Sequence, residues 1–259
     1  MIEFDHVSFS YGARTILKDL TFSIGFDERI AMLGGSGEGK TTILKIILGL
    51  IRPDSGRVRI DGDDITARSE GDLREARMKF SIVFQEGALF DSLSVKENVA
   101  FCLREYTQLS EEEIDQKIRH ILRTVGVESA MHLMTEELSG GMHRRVALAR
   151  SLAAFDPKMF LYDEPTTGLD PINADNICRL IVDLSYDLRG FIVVTHKVID
   201  ALKVAERFMF LKDGELRFDG SGKELVSSVD PEIRHFMSEL RFGTEVQSAK
   251  NRAGGDRHV

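Results

Sequence analysis

Apolar and polar positions alternate at the start of the chain. Phe4, Val7, Phe9 and Tyr11, then Leu20, Phe22 and Ile24 with Thr21 and Ser23 between them, predict short antiparallel strands. Ile30 to Leu33 is a short apolar run leading into a glycine-rich loop. Residues 41–50 are apolar nearly all round, which predicts a buried helix ended by Gly49 and Pro53. Val58 and Ile60 alternate before Asp61-Gly62, a hairpin signal.

Residues 86–155 have a different rhythm. Ser94 with Glu97 and Ser110 with Glu113 have capping-box spacing. After the second box, Ile114, Ile118, Ile121, Leu122 and Val125 recur at helical intervals, and Gly126 ends the helix. Another helix is expected from about residue 140 to 154, closed by Asp156-Pro157. The stretch reads as an inserted helical subdomain. Its apolar stripes are readable simply as core, and the loop from Glu86 to Ser92 is the better candidate for an exposed contact.

The pattern then changes again. Met159 to Asp163 and Phe191 to Thr195 are continuous apolar strands, separated by a helix carrying Ile172, Ile177, Leu180, Ile181 and Leu184. Residues 207–212 and 215–218 flank Asp213-Gly214, another hairpin. Strands without alternation, interleaved with helices, predict an α/β fold with a mainly parallel sheet covered on both faces. Asp230-Pro231 predicts a short helix over 231–240, with Ile233, Phe236, Met237 and Leu240 on one face. The expected domain is therefore 1–243, followed by a polar tail, 244–259, whose composition predicts disorder.

Composition narrows the class. The 259 residues are 42% hydrophobic and 29% charged, which fits a globular domain. The net charge of −8 argues against a nucleic-acid partner. Cys102 and Cys178 lie far apart and form no metal or disulfide pattern, as expected in a reducing compartment. The richest apolar run, Ile43 to Ile51, is interrupted by Lys45 and Gly49, well short of the roughly 18 residues that a membrane-crossing helix needs. The start, Met1-Ile2-Glu3-Phe4-Asp5, has neither a basic region nor an apolar core, so no secretory leader is expected. These features predict a cytoplasmic protein that could still sit against a membrane protein.

The chemistry centres on Gly34-Gly35-Ser36-Gly37-Glu38-Gly39-Lys40-Thr41, with Thr42 following. The pattern fits GxxxxGK[ST] and lies between a predicted strand and a predicted helix, the context it requires. Glycines let backbone N–H groups curl around phosphate oxygens, and the helix N-terminus adds partial positive charge. Lys40 is expected to neutralise the β- and γ-phosphates, and the Thr41 hydroxyl to ligate Mg²⁺. Asp163 and Glu164 end a predicted strand. The first suits a metal and its water shell, and the second suits a water-activating base.

From this point the chain resembles the ATP-binding cassette (ABC) ATPases. Leu138-Ser139-Gly140-Gly141-Met142 resembles their signature loop. Gln85 after Ser81-Ile82-Val83-Phe84 resembles the Q-loop glutamine, Gly168-Leu169-Asp170 the D-loop, and His196 after Ile192-Val193-Val194-Thr195 the switch histidine. Tyr11 stands where the adenine-stacking aromatic is expected, though it also reads as a core residue of the first sheet. The resemblance spans about residues 1–225 and implies a P-loop NTPase that binds and hydrolyses ATP with Mg²⁺. It further implies a head-to-tail homodimer, in which Ser139, Gly140, Gly141 and Asp170 complete the opposite subunit's site. Glu164, His196 and Gln85 take catalytic roles, and Thr41, Gln85 and Asp163 hold the metal. His132 and His143 read as surface residues, and both cysteines as small helix residues without redox function.

A finer resemblance is to the MlaF-like ATPases of MCE-type lipid transporters. It rests on Phe84-Gln85-Glu86-Gly87-Ala88-Leu89-Phe90-Asp91, Leu103-Arg104-Glu105-Tyr106-Thr107, and Met142 followed by Arg144-Arg145. Thr166-Thr167-Gly168-Leu169-Asp170 has the general cassette form, from which some lipid-type members depart. The resemblance implies phospholipid transport through a permease at the cytoplasmic side of the inner membrane. An MCE-domain protein and a small regulatory subunit would complete the complex. The alternatives are a cassette for an amino acid or a metal, and a soluble non-transport ATPase. The terminal helix is either a packing element or a contact with a partner subunit.

Overall fold

The computed structural model describes residues 1–153, 157–185 and 189–238. In chain order the first elements are β1 (Ile2–Tyr11), β2 (Arg14–Ile24), β3 (Arg29–Leu33), α1 (Lys40–Ile47), β4 (Ser55–Ile60) and β5 (Asp63–Asp64). There follow α2 (Glu70–Arg77), β6 (Phe80–Val83), α3 (Val95–Tyr106), α4 (Glu111–Thr124) and α5 (Gly140–Ala153). The last are β7 (Met159–Asp163), α6 (Pro171–Leu184), β8 (Gly190–Thr195), α7 (Val198–Val204), β9 (Arg207–Lys212), β10 (Glu215–Ser221), α8 (Gly222–Ser227) and α9 (Pro231–Phe236).

Two sheets result. The antiparallel one has the order β2-β1-β4-β5, and the central one β10-β9-β3-β8-β7-β6. In the central sheet, β9, β3, β8, β7 and β6 are parallel and β10 pairs antiparallel at the edge. The α/β architecture is the expected one. The N-terminal strands are longer than their broken alternation suggested. β1 and β2 stay paired through register shifts near Val7 and Phe9, with Phe4 stacked on Phe22 at 4.5 Å between ring centroids. Bulges of this kind let a strand continue where the strict period of two fails.

The pleat assigns side chains to layers. On β3, Ile30 and Met32 face the layer shared with α1 and the antiparallel sheet, while Ala31 and Leu33 face α7, α8 and α9. On β7, Met159 and Leu161 join the first layer, and Phe160 and Tyr162 face the α3–α6 side. Both faces are covered, so these strands need apolar residues at every position.

The expected helices at 41–50, after Ser110 and around residue 140 are present as α1, α4 and α5. Both capping boxes form, with Ser94 and Ser110 closing on Glu97 and Glu113. The predicted end of the fifth helix at Asp156, the end of the 231–240 helix and the tail 244–259 lie outside the described residues. Asp230 caps α9, and Ile233 and Met237 pack beneath Phe208 and Phe210. Sequence periodicity misses α2, whose only buried residues are Leu73 and Ala76. It also misses the short α7 and α8, the latter capped by Ser221 and Glu224.

One buried amide pins the loop between β6 and α3. Asn98 is fully buried; its Nδ2 donates to the carbonyls of Phe90, Leu93 and Ser94, and its Oδ1 accepts from Phe90 N–H at 2.8 Å. Asn98→Leu keeps the volume but strands these groups, at a cost of about 2–4 kcal/mol. A melting point lowered by roughly 10 °C is expected by calorimetry.

Candidate functional site

Four chain segments leave the carboxyl ends of adjacent parallel strands. Leu33 of β3 leads into the phosphate loop, Val83 of β6 toward Gln85, Asp163 of β7 to Glu164, and Thr195 of β8 to His196. A parallel sheet directs its ligand chemistry to this edge. The loop's shape depends on two glycines. Gly34 (φ 154°) would push a Cβ to 2.6 Å from the Leu211 carbonyl oxygen, and Gly39 (φ 98°) would push one to 2.6 Å from Leu17 Cδ2. No other residue fits where the loop bends against β9 and β2.

The loop opens onto a cavity of about 300 Å³ lined by Tyr11, Arg14, Ile16, Ser36, Gly37, Gly39, Lys40, Thr41, Thr42, Gln85 and Glu164. Tyr11 is half exposed and meets Phe9 edge-on at 4.7 Å, so it is not a core aromatic. Lys40 is buried, and its Nζ donates to the carbonyls of Gly34 and Gly35 at 2.8 and 2.9 Å. Burial pushes the Lys40 pKa down, opposed by the nearby carboxylates of Glu164, Asp163 and Glu38. The Thr41 hydroxyl donates to Asp163 Oδ1 at 3.0 Å. Burial pushes the Asp163 carboxyl up, partly offset by that hydroxyl.

Glu164 is the most constrained acid of the site. It is 8% exposed and sits at φ 48°, left-handed backbone that a non-glycine residue adopts only when its surroundings demand it. Its N–H donates to the Val194 carbonyl at 2.9 Å, which fixes the turn to β8. Its Oε2 accepts from Thr167 Oγ1 at 2.9 Å and Thr195 Oγ1 at 3.2 Å. Its Oε1 lies 2.9 Å from His196 Nδ1 and 3.9 Å from Lys40 Nζ. A carboxylate, two hydroxyls, an imidazole and a cation thus converge on one wall.

Not every predicted residue joins this cavity. The Glu38 side chain turns away to the β9–β10 hairpin, accepting from Asp213 N–H at 2.7 Å and Lys212 Nζ at 3.2 Å. Only its backbone remains for phosphate. Ser139, Gly140, Gly141 and Asp170 are not among the residues lining the cavity. They form a second cluster. Asp170 caps α6 through the N–H groups of Ile172 and Asn173, and the Asn173 side chain lies 3.1 Å from where a Cβ on Gly141 would stand. His132 is exposed, but His143 is half-buried, with its Cε1 3.0 Å from the position of a Gly87 Cβ. That corrects its reading as a surface residue, because Gly87 brings the Q-loop backbone down onto α5. Cys178 is buried, and burial pushes its thiol up to about 12.

The family model for ABC transporters matches residues 17–167. The chain belongs to the ABC transporter family. Within it the chain is a cassette ATPase, similar along most of its length to ATP-binding subunits. It is 38% identical over 244 residues to "Intermembrane phospholipid transport system ATP-binding protein MlaF" of Escherichia coli (strain K12), covering 94% of this chain and 90% of the relative. It is 40% identical over 238 residues to the protein of the same name from Haemophilus influenzae, covering 92% and 90%. Among solved structures it resembles the dimeric, post-hydrolysis ATP-binding cassette MJ0796 bound to ADP and Pi. The TM-score is 0.79 at 32% identity, over 85% of this chain and 98% of that one.

The structure also brings to the site residues to which the motifs assign no role. Arg14 and Ile16 line the cavity from the start of β2, Thr167 and Thr195 hold the Glu164 carboxylate, and Arg144 lies behind the Q-loop. Their spacing matches no phosphate-binding pattern. The register of β2 brings Arg14 and Ile16 to the site, and the sheet topology brings Thr195 beside Glu164, whereas Thr167 lies three residues beyond it.

Proposed function

We propose that this cassette is the ATP-hydrolysing subunit of a phospholipid transporter, working as a homodimer against a membrane permease on the cytoplasmic side of the inner membrane. The observation that carries the substrate class is the likeness, over more than nine-tenths of the chain, to proteins named for phospholipid transport. No helix among the described residues is long and apolar enough to cross a membrane, so the path itself belongs to a partner chain. An MCE-domain protein and a small regulatory subunit complete the complex. Residues 86–155 act in it as one helical subdomain.

The separation of the two clusters supports a composite site. Tyr11 stacks the adenine, and the N–H groups of residues 34–42 hold the phosphates. Ser139, Gly140, Gly141 and Asp170 are turned to a second copy, whose ATP they complete. The hard oxygens of Thr41 and Asp163 suit Mg²⁺, with Gln85 in reach of the same cavity. Bound there, the ion would neutralise charge on the β- and γ-phosphates. Lys40 leaves its own loop carbonyls for the phosphate oxygens. Glu164 takes a proton from the attacking water, the oxygen bonds to Pγ, and ADP departs. Thr167, Thr195 and His196 keep that carboxylate aimed.

The permease contact is a groove of about 480 Å³ between α2, the β6 edge, α3 and α5, lined in part by Arg74, Arg77, Tyr106 and Arg150. Arg150 also donates to the Ala88 and Gly87 carbonyls at 2.6 and 2.9 Å, so the groove and the Glu86–Ser92 loop form one surface. A permease segment seated there would press on the backbone that carries Gln85.

The test is to trap tagged Glu164→Gln protein with Mg-ATP in gently solubilised host membranes and identify what co-purifies by mass spectrometry. A permease, an MCE-domain protein and phospholipid are expected. A permease of the amino-acid or metal type would overturn the substrate class, and the absence of any membrane partner would overturn the transport role.

A further inference from the structure

Arg144 is buried in the first turns of α5, just beyond the signature loop. It is 8% exposed, and among the described residues no carboxylate pairs with its guanidinium. It donates instead to three backbone carbonyls. Nη1 reaches those of Phe84, at 3.3 Å, and Gln85, and Nη2 reaches that of Thr167 at 3.2 Å. Burying a guanidinium without a counter-ion is costly, and a neutral side chain would fill the space more cheaply. The charge therefore makes sense through what it joins. Its planar fork spans two loops that leave the sheet from different strands, β6 and β7.

The far loop leads directly to the reacting carboxylate. Thr167 N–H donates to the Glu164 carbonyl at 3.2 Å, and Thr167 Oγ1 to Glu164 Oε2 at 2.9 Å. The near loop leads to the groove. Arg150, further along α5, holds the Gly87 and Ala88 carbonyls and lines the groove itself. A path runs from the groove wall through Arg150, along the backbone from Gly87 to Gln85, and by hydrogen bonds through Arg144 and Thr167 to Glu164. A shift of the Q-loop backbone cannot leave the Thr167 carbonyl unaffected while one guanidinium holds both.

We propose that Arg144 is a positioning residue which ties the Q-loop backbone to the Thr167 carbonyl and so sets the aim of the Glu164 carboxylate according to the state of the groove. This rests on Glu164 being the base. A Glu164→Gln enzyme that still turns over would remove that premise, whatever Arg144 does.

The test is a double-mutant cycle on the purified full-length protein, and on its membrane complex where that is isolated. ATPase kcat and KM, the Kd for a fluorescent ATP analogue and the melting point are measured for Arg144→Gln, Arg144→Lys, Thr167→Val and Arg144→Gln/Thr167→Val. Arg144→Gln is expected to lower kcat about tenfold, with Kd within about twofold and melting unchanged or slightly raised. Arg144→Lys, which keeps the charge but loses the fork, is expected to recover part of kcat. If one path carries both effects, the double variant is no slower than its slower parent. The proposal is overturned if the two losses multiply, if Arg144→Gln turns over normally, or if every loss follows a rise in Kd and a fall in melting point together. Should Arg144→Gln fail to fold, the cycle of Arg144→Lys with Thr167→Val decides by the same criterion.

Discussion

Glu164→Gln is expected to bind Mg-ATP as tightly as the parent protein or more tightly, while kcat falls by about 10²- to 10⁴-fold, the usual contribution of a positioned general base. The substitution preserves size, and the amide oxygen can still accept from Thr167 Oγ1 and Thr195 Oγ1, which hold Oε2 at 2.9 and 3.2 Å. What it removes is the basic carboxylate to which the proposed mechanism gives the proton of the attacking water. It also removes a negative charge 3.9 Å from Lys40 Nζ, in a site where the γ-phosphate brings more of the same sign. Binding therefore gains what turnover loses. The measurement is a pair: Kd for the nucleotide at equilibrium, and phosphate release under saturating Mg-ATP. Phosphate release at the parent rate would sink the assignment and shift attention to His196, the other titratable group within 2.9 Å.

Much of this arrangement was readable in the chain because its parts are local. The phosphate loop is a contiguous stretch, with glycines at the points where a Cβ would collide. The strands of the central sheet announce themselves because they are buried on both faces and so have lost their alternation. The helices α3 and α4 declare their first turns through Ser-x-x-Glu boxes whose bonds stay within a few residues. The unread parts depend on distance in sequence. α2 buries two side chains and is otherwise polar, so no stripe marks it. Glu38 lies inside the phosphate-binding pattern, yet its carboxylate is claimed by Lys212 and Asp213, residues that only the fold brings near. Arg144 and Thr167 lie inside motif segments, but those segments assign them no role. Their meaning comes from carbonyl groups, and any residue type supplies a carbonyl.

Lys40→Met is expected to remove most of the thermal stabilisation that ATP gives while leaving the melting point of the empty protein within a few degrees. The Lys40 side chain is 6% exposed and buried without a closely bonded carboxylate, its Nζ resting on the Gly34 and Gly35 carbonyls. Burial lowers its pKa, so in the empty site the charged form is disfavoured relative to the unfolded chain. The sign follows from linkage. A lysine whose folded pKa is depressed favours the fold in its neutral form, and that advantage is lost as pH falls through the folded value. Near neutral pH the ammonium is thus a cost to the empty protein, and removing it offsets the two hydrogen bonds that methionine cannot make. Once phosphate arrives the balance reverses, because the ammonium gains a multiply charged partner inside a desolvated loop. Losing one member of such a pair costs about 2–5 kcal/mol, roughly 30- to several-thousand-fold in Kd. At an ATP concentration about a hundred times the parent Kd, the parent gains about 2.7 kcal/mol and the variant at most about 0.9 kcal/mol. Melting curves with and without Mg-ATP read both halves at once. An ATP shift that survives undiminished in Lys40→Met would show that the backbone cradle holds the nucleotide without its cation. A collapse of the empty variant would show that the two carbonyl contacts outweigh the cost of burying the charge.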